Sequence, residues 1–134
     1  MMHYYFSDKA HIFWDDVIEA VVIRWNSVAK EEEFRVPLDK VIELAVIKKA
    51  KKVLIDKSPK MVLTEDAEWF SMEWLPRLLH AGIQFTATVI PEHTVAPLDM
   101  KNAIEKETLP INYHEFEDIH NAVGWLSEAS EVSA

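Results

Sequence analysis

The six histidines of this 134-residue chain are the first place to look for chemistry. His114 and His120 flank Glu115, Glu117 and Asp118, which brings imidazole and carboxylate groups of the kind that bind zinc into one short stretch. The spacing is wrong for a metal site, because no His-x-x-x-His or His-Glu-x-x-His occurs anywhere. Acids at a strand-to-helix junction also serve as helix caps, so neither a metal nor any other cofactor is expected. His93 follows a predicted strand and lies between Pro91 and Pro97. Ligands of α/β sheets bind beyond the carboxyl ends of strands, which makes His93 a candidate for binding a ligand or partner. A pocket needs much more than one base, and His93 is not read as catalytic. The chain has no Gly-x-Ser-x-Gly elbow, no glycine-rich phosphate loop and no cysteine. A non-enzymatic protein is expected.

The segment around Trp69 is richer. Trp69, Met72, Leu75 and Leu79 fall on one stripe of a helix and predict a core face. Phe70, Trp74 and Leu78 form a second ridge at four-residue spacing, leaving apolar side chains around most of the helix. That ridge either lies inside the monomer or meets a partner or ligand, so Phe70, Trp74 and Leu78 join His93 as candidate interface or ligand-binding residues. Pro76 removes one helical hydrogen bond and predicts a kink.

Charge narrows the partners. A formal net charge of −9 disfavours nucleic acid, whose nonspecific binding depends on neutralising phosphates. Residues 48–60 go against the trend, with six lysines and a single acid, Asp56. Lysines at a helix end complement its partial negative charge, and a solvated surface is the expected outcome; attraction of an anionic ligand or an acidic partner is the other reading. The longest purely apolar runs have four residues, far short of the roughly 20 that span a membrane. The first residues lack the charged and apolar regions of a signal peptide. No integral membrane segment and a cytoplasmic location are therefore expected.

These residues must be held by a predicted series of elements. Tyr4–Phe6 and Ala10–Trp14 read as strands around the turn Ser7-Asp8-Lys9. Val17–Trp25 is apolar on both alternating faces, as in a central strand covered on both sides. A helix is expected over about 35–50, starting near Val36 so that Pro37 falls in its first turn. Val53–Asp56 is a strand; Thr64 caps a second helix and Gly82 closes it. The strand Gln84–Ile90, a helix over Ala96–Lys106, the strand Ile111–Phe116 and a helix capped by Asp118 complete the series. The order predicts an α/β fold: a mixed sheet with an N-terminal antiparallel hairpin, then strand–helix alternation with flanking helices. Residues 1–126 form one domain, and 127–134 a polar tail.

This order resembles the STAS domain of anti-sigma-factor antagonists and sulfate-transporter tails, and most of all the small stand-alone bacterial proteins grouped with STAS and CRAL-TRIO domains. The resemblance rests on Val22-Ile23-Arg24-Trp25, on Val53-Leu54-Ile55-Asp56 and on the helix from Glu68 to Arg77. It implies a regulatory or protein-interaction module without enzymatic activity, working through a protein partner or as a homodimer. The alternative it implies is a small carrier binding a lipid-like or anionic ligand in a pocket. Phosphorylatable STAS proteins carry an Asp-Ser-Ser-Gly-like turn after the strand that ends here at Asp56. Thr64 falls at the matching helix start and Ser58 precedes it, so a phosphosite would fall on one of these two. No glycine comes after Thr64 at that helix start, and Glu65 and Asp66 would repel a phosphate. Neither residue is expected to be phosphorylated.

Overall fold

The computed structural model describes residues 2–26, 32–56, 69–89 and 110–129. Its first turn is built by Ser7, whose Oγ accepts from the backbone N–H groups of Lys9 (3.2 Å) and Ala10 (3.1 Å). This closes a hairpin of β1 (Met2–Phe6) and β2 (Ala10–Asp15). Asp15 builds the second turn, its Oδ1 accepting from the N–H groups of Val17 (2.9 Å) and Ile18 (3.3 Å). The strand expected from Val17 therefore begins later, as β3 (Ala20–Trp25). Val17 is 89% exposed on the turn, while Ile18 folds back into the core. The apolar alternation runs on through residues that the Asp15 carboxylate commits to a turn.

β3 passes to α1 (Glu32–Lys48), then to β4 (Lys52–Asp56). Helix α1 starts earlier than Pro37 implied, and that proline sits inside it. Phe34, Pro37, Leu38, Val41, Leu44 and Ala45 all turn inward. Burying this stripe offsets the missing proline N–H, and Glu32 and Glu33 suit the positive end of the helix dipole.

The next described segment is a π-helical turn, Phe70–Trp74, running into α2 (Leu75–His80). Pro76 sits in the first turn of α2, where its ring and missing N–H do least harm. The expected irregularity is thus a change of helix type. The i→i+5 turns shift the phase of the residues before Leu75 relative to those after it. Met72, placed on the core stripe by a uniform 3.6-residue period, is accordingly 64% exposed. Gly82 ends the helix as expected, with φ +103°, its N–H donating to the Leu79 carbonyl at 3.0 Å. The helix expected over 96–106 and the Thr64 cap lie outside the described residues.

β5 (Phe85–Val89), β6 (Asn112–Phe116) and α3 (Ile119–Glu128) complete the described chain. Asp118 caps α3 as expected, accepting from the His120 N–H at 2.6 Å. The six strands lie in sequence order, antiparallel from β1 to β3 and parallel from β3 to β6, giving the expected mixed α/β sheet. Parallel neighbours joined by crossovers of one hand carry those connections on one face. Both α1 and α2 accordingly pack on the face formed by Ile12, Val21, Ile23, Val53 and Ile55. On the opposite face, Ala122 and Leu126 of α3 meet Leu54, Ala87 and Val89. β3 is an interior strand with Arg24 its one exposed residue. No helix among the described residues is long and apolar enough to cross a membrane.

Candidate functional site

An extra residue in β1 creates the most chemically varied surface of the described chain. With Phe6 opposite His11, strict alternation would place Tyr4 beside Phe13 and turn His3 to the other face. The register instead shifts between His3 and Tyr5, so that Tyr5 opposes Ile12 and His3 opposes Phe13. This bulge at Tyr4 reverses the alternation. Tyr4 and Tyr5 both pack on the α1 side, where the Tyr4 hydroxyl donates to Glu43 Oε1 at 2.9 Å. His3 emerges on the opposite face, beside His11.

The two imidazoles meet through His3 Nδ1 and His11 Nε2 at 2.7 Å. Their planes differ by 14° and their centroids lie 4.8 Å apart. That leaves about one ring radius on either side of the nitrogen contact, so the rings lie edge to edge, with one nitrogen donating and the other accepting according to the tautomer. Phe13 packs 5.0 Å from the His11 ring, and Phe6 crosses it edge-on at 5.6 Å. Phe6 itself is 74% exposed.

The same edge continues across the sheet. Phe6, His11, Arg24 and Asp56 are successive cross-strand neighbours on β1 to β4, at the carboxyl ends of parallel β3 and β4. Arg24 Nε donates to Asp56 Oδ2 at 3.2 Å, and its guanidinium carbon lies 5.6 Å from the Phe13 ring centre. Helix α3 covers β4, β5 and β6 on this face. On the β1–β3 half of this face His3, Phe6 and Arg24 are exposed and His11 is half-buried, while Phe13, Ala20 and Val22 are buried. The arrangement can place one N–H between the two imidazoles, offer aromatic contact area at Phe6 and present a half-exposed guanidinium.

Burial holds His11 below the ordinary imidazole value of 6.5, helped by the neighbouring charges of His3 and Arg24. As pH falls through 6.5, the unfolded chain takes up a proton here before the folded one does, so stability declines below that pH. Above it both forms are neutral and the effect vanishes. In NMR titrations the His11 ring is expected to titrate below an unstructured histidine. Denaturant melts on either side of 6.5 should show a smaller acid-side loss in His11→Gln than in the parent. A His11 midpoint at or above the ordinary value would contradict this account.

The residues singled out from sequence are mostly elsewhere. Trp74 and Leu78 are fully buried, and Trp74 Nε1 donates to the Leu38 carbonyl at 2.8 Å. They belong to the core and leave no surface for a partner. The Phe70 side chain lies outside the described residues, as do His93, Ser58 and Thr64. His114 packs on Trp125 with ring centres 5.0 Å apart, whereas His120 is exposed on the first turn of α3. No group of three or more ligating side chains capable of holding a metal occurs among the described residues. Sequence reasoning misses His3 and His11 because nothing local in Met2–Phe6 announces a bulge. The available hint is His11 alternating with Phe13, a polar ring on a strand face otherwise suited to burial.

Fold and site together define an α/β protein with a sequentially ordered mixed sheet and an exposed histidine–aromatic hairpin face. No family model matches the chain, and no curated protein or solved structure matches it either.

Proposed function

We propose that this chain is a non-enzymatic, STAS-like interaction module that meets its protein partner, a second copy included, through the hairpin face around Phe6. The observation that carries the reading is the exposure of Phe6, whose ring meets that of half-buried His11 beside the exposed His3 and Arg24. Interface centres favour aromatic and Arg side chains, and Phe6, His3, His11 and Arg24 supply that composition. The bulge at Tyr4 argues for docking on the face rather than along the strand. An irregular edge is a poor template for adding another strand.

Replacing Phe6 by the photocrosslinker benzoylphenylalanine in living cells is expected to trap a protein adduct, whose mass tells a second copy from another protein. Val46, 58% exposed on α1, is the control position. Adducts at position 6 no stronger than at position 46 would remove the hairpin face as the contact surface.

A further inference from the structure

Regular pairing would keep His3 and His11 on opposite faces, and the bulge at Tyr4 instead sets His3 Nδ1 2.7 Å from His11 Nε2. His3 is exposed and His11 half-buried, so the contact competes with water. A hydrogen bond in that setting adds little to stability, which leaves the bulge unaccounted for. Bulges commonly re-aim a side chain toward a site.

The distance between the nitrogens says what the site could hold. Imidazole nitrogens bind zinc with bonds of about 2.0–2.1 Å, so two of them on one ion stand about 2.9–3.4 Å apart at bond angles of about 90–110°. The observed 2.7 Å falls short of that range by only a few tenths of an ångström. Rotation of each ring about its Cβ–Cγ bond opens the gap and lets both lone pairs aim at one point. Buried Phe13 backs the pair, its ring centre 5.0 Å from that of His11 and 6.3 Å from that of His3. Arg24, the neighbouring cation, is paired with Asp56 at 3.2 Å, which offsets its repulsion of a metal ion.

From this geometry we infer that His3 Nδ1 and His11 Nε2 together bind a divalent transition-metal ion of the zinc type. Imidazole suits such ions, whereas magnesium and calcium take oxygen ligands. The ring that donates in the free pair carries its proton on its other nitrogen in the complex. That tautomer exchange through water leaves both ligands neutral. Two protein ligands leave the remaining coordination positions to water, so the site is an open one. The pair lies on β1 and β2, at the opposite end of the strand order from His114 on β6. Cross-strand placement here supplies the proximity that ligand spacing along the chain does not. Both ligands belong to one chain, so the inference does not rest on the partner reading.

The test titrates zinc chloride into the full chain, with magnesium chloride as the comparison, and follows the histidine ring nitrogens by NMR. Zinc is expected to shift His3 Nδ1 and His11 Nε2 together and saturably, and magnesium to shift neither. His3→Gln, at the surface, should weaken zinc binding about tenfold or more without disturbing the fold, because it removes an intramolecular second ligand. His11→Gln should do the same, whereas His120→Gln, on the exposed first turn of α3, should change nothing. Chelation also ties the edge strand β1 to β2, so zinc should slow hydrogen exchange of the β1 amides in the parent and in neither of the first two variants. Shifts of equal size and affinity at the exposed His80 and His120 would mean an adventitious ion only. Unchanged affinity in His11→Gln would mean that His3 binds without it. Either result overturns the inference.

Discussion

Truncating Trp74 to alanine is expected to cost about 3–5 kcal/mol of folding stability. Among the described residues Trp74 is the largest fully buried side chain, and its indole N–H reaches across to the Leu38 carbonyl of α1 at 2.8 Å. The substitution removes both the ring that fills the space between the π-helical turn and α1 and the indole bond joining them. Trp74→Phe separates the two contributions. It restores much of the volume and is expected to recover most of the loss, leaving about 1–2 kcal/mol for the missing bond and the smaller ring. Urea melts read both variants, and the midpoint shift should not depend on protein concentration, because the residue has no exposed surface. A loss under about 1 kcal/mol would show that the Trp74 environment is not the packed core described.

Leu126→Ala should cost about 2–4 kcal/mol, and the damage should be local. Helix α3 has ten residues, too few to persist alone in water. Its fully buried anchors are Ala122 and Leu126, and only the second is large. Removing that side chain should let α3 detach while the sheet, held from the other face by α1 and α2, remains folded. Hydrogen exchange should show lost protection in Ile119–Glu128 and retained protection in β3 and β4. Uniform loss of protection across the sheet would mean that α3 unfolds only with the whole domain.

Much of the architecture is legible in the sequence because it rests on local chemistry. The turn at Ser7, the caps at Asp118 and Gly82, and the helical period of α1 need only neighbouring residues, and their elements lie where expected apart from shifted ends. Differences gather where a uniform period runs through a break. Val17–Glu19 forms a turn because Asp15 captures the backbone, and Met72 rotates outward because the turns before Pro76 widen. The ridge of Trp74 and Leu78 is visible in the sequence, but its direction is not. An apolar side chain looks the same in sequence whether it will face a partner or the helix across the core.

By itself the sequence determined the strand or helix character of most described elements, the interior position of β3 and the acidic background against which a lysine-rich stretch stands out, since these depend on side-chain period and charge alone. The tertiary structure decided which side chains share a surface. His3 and His11 are eight residues apart, and regular pairing would set them on opposite faces; one bulged residue brings their nitrogens to 2.7 Å. Phe6, His11, Arg24 and Asp56 share one row only because hairpin pairing and a parallel crossover set four strands side by side. The physical reason is the two-residue period of a strand. Each residue's face depends on register, and register is set by pairing with distant strands and by bulges, which no local propensity encodes.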